Sequence, residues 1–149
     1  MAERASRIRK SNLKSIPAVD GGYRRFTELL SRNVLGSDHL SVRVVQVLPI
    51  TGSEPRHPHT HRTMDEAIFV LEGAGIAWVD GEVCTLEAGD LLFVPRGVPH
   101  VTVSSSDRQL RLFCAFSAGD PGERVVHTDI KLRPVDFEPM ERPGATERT

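Results

Sequence analysis

The sequence is poor in aromatic residues and in cysteine. Aromatic side chains make up 5% of its 149 residues, with one Trp and one Tyr, which argues weakly against a pocket built on stacking. Its two cysteines, Cys84 and Cys114, lie in apolar strand-like runs. We expect both to be buried free thiols in a reducing compartment, without a catalytic role.

An excess of charge and a long apolar run are also missing. Nineteen lysines and arginines face 20 acidic residues, for a net charge of -1, so no global field attracts nucleic acid or anionic lipid. No apolar run approaches the roughly 18 residues that span a bilayer, and the first residues lack the apolar centre of a secretion signal. We expect a cytoplasmic protein with a small-molecule partner and no nucleic-acid or membrane partner.

The chain length fits one domain, since two independent cores would each be marginal in size. Residues 1–20 carry five basic side chains and little apolar content, so we predict a flexible N-terminal arm, either frayed or lying on a neighbouring surface. Residues 21–132 are predicted to form the barrel domain. Residues 133–149 contain three prolines and are predicted to be a tail that wraps outside or is disordered.

One short helix is predicted near the N-terminus, as a cover for the barrel. The run YRRFTELLSRNVLG spaces Phe26, Leu29, Leu30 and Val34 like one helical face, and Gly36 can end it.

After this run the apolar period changes to two, which predicts an all-β sandwich or barrel. Asp80-Gly81 is a two-residue hairpin signal, because glycine accepts the positive φ of a tight turn without steric cost. The predicted strands lie near 40–49, 57–61, 66–72, 75–80, 82–87, 91–95, 99–104, 109–116 and 124–130.

A cluster of potential metal ligands stands in the middle of the chain. In His57-Pro58-His59-Thr60-His61 the histidines alternate, so on a strand their side chains share one face. Glu66 follows five residues after His61, and His100 follows the rigid turn PRGVP. Histidines with a carboxylate suit one divalent transition metal ion, namely Fe, Mn, Ni, Co, Cu or Zn.

These residues resemble the two motifs of the cupin superfamily, and the chain looks like a small single-domain cupin. The first motif is similar to the series His59-Thr60-His61, Glu66 and Gly73, whose members are separated by four and six residues. The second motif is similar to the series Gly89, Pro95, Gly97 and His100, whose members are separated by five, one and two residues. Ser104 stands where the family often has asparagine.

The resemblance implies a jelly-roll barrel, commonly a homodimer, with His59, His61, Glu66 and His100 as metal ligands. The motif spacing to the glutamate favours His59 and His61 over the pair that would use His57. A fifth ligand would also block a position that a substrate could use, so His57 is interpreted as a residue at the rim.

Residues beyond the ligands are harder to assign. The candidate acids, bases or other catalytic groups are Tyr23, Arg43 and His127, with Glu66 as a labile ligand and Arg62 and Asp65 in the ligand loop as further options. The candidate substrate contacts are His57, Arg62, Trp78 and Phe93. Purely structural roles for these candidates stay open. Loop charges are commonly solvated, a lone histidine is commonly structural, and apolar strand residues commonly pack in a core.

Three functions remain open, because a fold does not fix a function. The favoured one is a metal-dependent lyase, isomerase or cyclase acting on a small oxygenated metabolite, such as a sugar-derived or polyketide-type carbonyl compound. The second is an Fe(II)-dependent dioxygenase. The third is a non-catalytic binding or sensing module, since no acid, base or nucleophile beyond the ligands is clearly placed.

Overall fold

The computed structural model of the protein describes residues 6–105 and 109–138. Eleven strands, with every strand pairing antiparallel, dominate this part of the chain. The strands are β1 Val19–Asp20, β2 Arg24–Leu30, β3 Ser41–Val47, β4 His59–His61, β5 Glu66–Glu72, β6 Ala74–Val79, β7 Glu82–Glu87, β8 Leu91–Val94, β9 His100–Ser104, β10 Leu110–Phe116 and β11 Val125–His127.

The strands form two sheets that enclose the core. One sheet has the order β1-β2-β3-β10-β5-β8 and the other has the order β11-β4-β9-β6-β7. In β10 alternate residues face inward, so that Leu110, Leu112 and Cys114 are buried while Phe113 is exposed. The prediction of an all-β jelly-roll barrel is therefore confirmed.

The predicted N-terminal helix is wrong, because residues 24–30 form strand β2. Pairing with β3 along its length, including Phe26 opposite Val45, supplies backbone hydrogen bonds and core contacts that outweigh the local helical pattern. The spacing misled because residues four apart, such as Phe26 and Leu30, share a face in a strand as well as in a helix. A register shift between Glu28 and Leu30 accommodates the adjacent leucines.

The predicted hairpin at Asp80-Gly81 is confirmed. Val79 of β6 pairs with Glu82 of β7, and the two residues between them have φ values of 45° and 92°. Positive φ at both central positions defines a tight turn whose twist matches that of the flanking strands.

The segments before and after the barrel both contact it. Ser11 donates a hydrogen bond from its hydroxyl to the Leu29 carbonyl oxygen at 2.7 Å, and β1 pairs with β2. Pro134–Phe137 form a 3₁₀ turn, and Phe137 is buried against the cluster that contains Trp78. The predicted tail beyond residue 138 lies outside the described residues.

The two cysteines are unpaired but differ in environment. Cys114 is buried, whereas Cys84 is exposed, so the expectation that both thiols are buried is wrong for Cys84. Cys84 lies on β7, the last strand of its sheet in the described residues, whereas Cys114 lies on β10, which pairs with both β3 and β5. Over the described residues no helix has the length and apolar character needed to cross a membrane.

The six-stranded sheet exposes an apolar surface on its outer side. Phe69, Leu71, Leu91, Phe93 and Phe113 lie on adjacent strands and are each more than a third exposed, with Leu91 and Phe93 at 68% and 60%. We call these five residues the outer apolar face. A contiguous set of this kind is uncommon on a monomer and typically marks an interaction surface.

Candidate metal centre

The potential ligands come from three strands in both sheets. His59 and His61 lie on β4, His59 pairs with His100 at the start of β9, and Glu66 begins β5 of the opposite sheet. The short loop between β4 and β5 crosses from one sheet to the other, and its Met64 side chain is fully buried. This anchored crossing brings the carboxylate back to the histidines that precede it.

The four side chains converge on one point. The nearest ligand atoms of His59, His61, Glu66 and His100, which we call the ligand cluster, all lie within 4.8 Å of one another. Two atoms on opposite sides of one ion, each bound at about 2.1 Å, would be about 4.2 Å apart. The ligand cluster therefore fits a single metal ion after small side-chain shifts.

Glu66 is held between two imidazoles. Its Oε2 lies 3.0 Å from Nε2 of His61 and 2.8 Å from Nε2 of His100. Burial opposes ionisation of Glu66, but the hydrogen bonds from His100 and His61 outweigh burial and hold its pKa well below the usual range. A carboxylate that stays ionised is ready to bind a cation.

His59 is held in its neutral form. Burial, followed by the charge of Arg24 and by His100 and His61, lowers the pKa of His59 to about 2. A neutral imidazole keeps a free lone pair, which is the state that binds a metal.

The surroundings of His100 suit metal binding. Nδ1 of His100 lies 2.9 Å from the Val98 carbonyl oxygen, so that with a metal bound the proton would sit on Nδ1 and Nε2 would be the ligand atom. Nδ1 of His61 is buried without a hydrogen-bond partner among the described residues. The donor set of three imidazoles and one carboxylate suits first-row transition metals, so a divalent ion fits these residues.

The ligand cluster opens into a cavity of about 380 Å³ inside the barrel. The volume is at the lower end for small-molecule sites. Its wall is formed by Gly21, Tyr23, Arg24, Phe26, Arg43, Val45, His57, His59, His61, Glu66, Ile68, His100, Thr102, Leu112, Cys114, Phe116, Val125 and His127.

Besides the ligand cluster, four of the candidate catalytic and substrate-contact residues lie on this wall, namely Tyr23, Arg43, His57 and His127. Nε and Nη2 of Arg43 donate to Oε1 of Glu28 at 3.0 and 2.9 Å. Nδ1 of His57 lies 3.1 Å from the Ile130 carbonyl oxygen, and the side chain is exposed. His57 is thus outside the ligand cluster but beside the same cavity.

The other candidates lie elsewhere. Within the described ranges, the cavity wall does not include Arg62, Asp65, Trp78 or Phe93. Arg62 is exposed, and Asp65 pairs with Arg96 at 3.1 Å. Trp78 is buried in the second core cluster.

Phe93 lies on the outer apolar face, on the opposite side of the sheet from the cavity. The reason is the pleat of β8, which turns its neighbour Val94 inward.

Two residues of the cavity were missed at the sequence level, Arg24 and Cys114. Arg24 was not expected at a cavity, because in the helical interpretation of residues 23–36 both Arg24 and Arg25 lie away from the apolar face. As a strand, β2 turns Arg24 and Phe26 toward the cavity and leaves Arg25 exposed. For Cys114, burial raises the pKa of the thiol well above its ordinary value, so it stays neutral.

Comparison with known proteins gives one family match and several partial relatives. Residues 44–116 match the family described as "Cupin domain". An uncharacterised protein of Aquifex aeolicus is 32% identical over 73 residues, which is 49% of this chain and 60% of that protein. The matched regions cover 45% and 35% of two further curated relatives, so the chain spans about half the length of the relatives it matches.

Solved structures share the fold at low sequence identity. The polyketide cyclase RemF from Streptomyces resistomycificus superimposes with a TM-score of 0.66 and 23% identity, over 87% of this chain and 90% of that one. KdgF from Halomonas sp. superimposes with a TM-score of 0.59 and 18% identity, over 72% of this chain and 92% of that one. At these identities the likeness concerns the fold alone.

Proposed function

Because this chain belongs to the cupin superfamily through its domain at residues 44–116, we propose that it is a metal-dependent enzyme acting on a small carbonyl compound. The proposed reaction is a lyase, isomerase or cyclase step on a sugar-derived or polyketide-type substrate. The observation that carries the proposal is the ligand cluster, which faces a cavity of metabolite size.

The proposed ligands are His59, His61, Glu66 and His100. Four protein ligands leave room for substrate on an ion that prefers five or six. When bound, a divalent ion supplies Lewis-acid chemistry, which polarises a carbonyl or stabilises an enolate.

Proton transfer is proposed for residues on the cavity wall rather than for the ligands. Tyr23 and His127 each place a group that can exchange a proton on the same wall as the ligand cluster. Arg43 has a different part: its guanidinium lies 4.3 Å from the centroid of Phe26 and is fixed by Glu28. We assign Arg43 to shaping the cavity wall.

Apolar residues of the wall can exclude water from the reacting carbonyl. Phe26, Ile68, Leu112 and Phe116 line the same cavity, and exclusion of water strengthens the electrostatic interactions within it. The polyketide cyclase RemF has a similar fold, which supports the proposed cyclase class without identifying a substrate.

The test is turnover of a panel of enols, diketones and sugar-derived carbonyl compounds by protein loaded with zinc, manganese, nickel or iron, with and without oxygen. Substrate loss that needs the metal but not oxygen is expected. Oxygen uptake with the iron-loaded protein would instead establish the dioxygenase alternative. Binding without turnover for every metal would establish a binding or sensing module.

We propose a homodimer that buries the outer apolar face. Strand β8 ends the six-stranded sheet in the described residues, and it carries Leu91 and Phe93. A second copy can cover both the edge and the apolar side chains.

We propose the cytoplasm as the compartment of this protein, since the exposed Cys84 thiol is unpaired.

A further inference from the structure

Arg24 brings a cation into the cavity, and no carboxylate of the described residues pairs with it. Its hydrogen bonds within the described residues go from Nη2 to the carbonyl oxygen and to Oγ1 of Thr102, both at 3.3 Å. Nε of Arg24 is buried and has no hydrogen-bond partner there. A guanidinium has five N–H donors, so most of the hydrogen-bonding capacity of Arg24 is unused.

Arg43, the other arginine on this wall, is already neutralised. Two of its nitrogens donate to the Glu28 carboxylate, and only 16% of its side chain is exposed. The contrast matters because Arg24 is half-buried, with a buried Nε and no counter-ion in the described part of the chain, and such a charge is stabilised when an anion binds. A bound anion would therefore supply Arg24 with the counter-ion that Arg43 already has in Glu28.

Arg24 is also near enough to the ligand cluster to act on the same small molecule. Thr102, which accepts its hydrogen bonds, lies two residues after His100 on β9, and both line the cavity. Two residues of an antiparallel strand span about 7 Å.

The charges of the cavity favour an anionic ligand. A divalent ion is only half neutralised by Glu66, the pair Arg43–Glu28 is neutral, and Arg24 adds a further positive charge. Arg56 adds a positive charge nearby. Its guanidinium carbon lies 4.2 Å from the centroid of the Tyr23 ring, and the guanidinium carbon of Arg24 lies 5.3 Å from the same centroid.

We propose that Arg24 binds a carboxylate of the substrate, so that the cavity selects oxo acids whose carbonyl oxygen approaches the ligand cluster. This inference rests on the proposed function and narrows its substrate class to acidic carbonyl compounds. A guanidinium pairs with a carboxylate in a bidentate geometry that an ammonium cannot match. Arg24 is a specificity-determining residue in this account.

The test compares one oxo acid with its uncharged ester. The probes are 4-oxopentanoate and methyl 4-oxopentanoate, in which two methylene groups keep the carboxylate from closing a tight chelate ring with the carbonyl. Binding is measured by calorimetric titration with zinc-loaded and with metal-free protein, since zinc has no redox chemistry. Zinc content and the thermal midpoint are recorded for every variant.

The variants are Arg24→Gln, Arg24→Lys and the matched control Arg25→Gln, whose residue is exposed on the other side of the same strand. We expect the wild type and Arg25→Gln to bind the acid at least about tenfold more tightly than the ester. Arg24→Gln should remove this difference with its zinc content unchanged, and Arg24→Lys should keep only part of it.

The two proposals fail separately. Protein that takes up neither zinc nor any of iron, manganese, nickel, cobalt and copper overturns the proposed metal-dependent function. An acid preference that survives in Arg24→Gln, or that is missing from the wild type in both metal states, overturns the assignment of Arg24. Inorganic phosphate that binds the wild type more tightly than 4-oxopentanoate, and loses this advantage in Arg24→Gln, would overturn the choice of a carboxylate.

Discussion

Oε2 of Glu66 lies 2.8 Å from Nε2 of His100, although 34 positions of sequence separate the two residues. The contact joins the sheets, because Glu66 begins β5 and His100 begins β9. In the absence of metal, the hydrogen bond to His100 partly satisfies the buried carboxylate. If both groups bind one ion, as proposed, metal binding and the packing of the two sheets are coupled.

Replacing a ligand should remove the metal. We expect His61→Ala and His100→Ala each to weaken metal binding by more than about 100-fold, since even residues that only orient ligands contribute 10–100-fold. Affinity is measured by competition with a chromophoric chelator, and circular dichroism confirms the fold. The matched control is His57→Ala, which should keep wild-type affinity; weakened binding in His57→Ala would place that histidine among the ligands.

Acid should destabilise the metal-free protein through His59. Its pKa is about 2 in the folded protein against 6.5 ordinarily, so below pH 6.5 the unfolded chain takes up a proton that the folded protein does not. Stability is then lost as the pH falls through 6.5 and continues to fall toward pH 2. The slope is at most about 1.4 kcal/mol per pH unit for this group.

Urea unfolding of chelator-treated protein at pH 7.5 and pH 5.0 measures this effect. The variant His59→Gln removes the titrating group and should show a smaller difference in free energy of unfolding between the two values. An equal difference in variant and wild type would mean that His59 does not carry the effect.

The ligand cluster could be predicted from sequence because its information is local. His59 and His61 alternate on one strand, and the turn before His100 is specified by prolines and glycine. The contact between them is long-range, yet the resemblance to known motifs supplied it. The identity of β2 could not be predicted in the same way, since its partner β3 is chosen by tertiary pairing.

The misassigned helix had a consequence for the site. In a helix over residues 23–36 both Arg24 and Arg25 would lie away from the apolar face, whereas the strand separates them onto opposite faces. The alternation of Arg24, Phe26 and Glu28 was the signal available in the sequence. The direction of Phe93 could not be predicted either, because periodicity gives two faces without telling which one meets the cavity.

Gly73 should be far more sensitive than Gly81 to substitution by alanine. Both have positive φ, but a Cβ at Gly73 would overlap the Gln109 carbonyl group, whereas nothing lies near a Cβ at Gly81. We expect Gly81→Ala to cost about 1–2 kcal/mol from backbone strain, and Gly73→Ala about 3 kcal/mol or more because overlap adds to strain. Chemical denaturation checks this; equal losses would contradict the close backbone approach at Gly73.

The outer apolar face should control the oligomeric state. Introducing a charge with Phe93→Lys is expected to convert a dimer into a monomer, because a buried lysine without a partner is unfavourable at an interface. Sedimentation equilibrium measures the mass. Ile130→Lys is the control, since Ile130 is also partly exposed but is not on this face. A wild-type monomer, or an unaffected dimer in Phe93→Lys, would remove this surface as the interface.

Elemental analysis of protein purified without added metal and without a nickel affinity column tests the central claim most directly. The account predicts about one transition-metal ion per chain in the wild type and almost none in the double variant His61→Ala/His100→Ala. Wild-type protein that is metal-free and takes up none of iron, zinc, manganese, nickel, cobalt or copper would contradict it, as would full occupancy in the double variant.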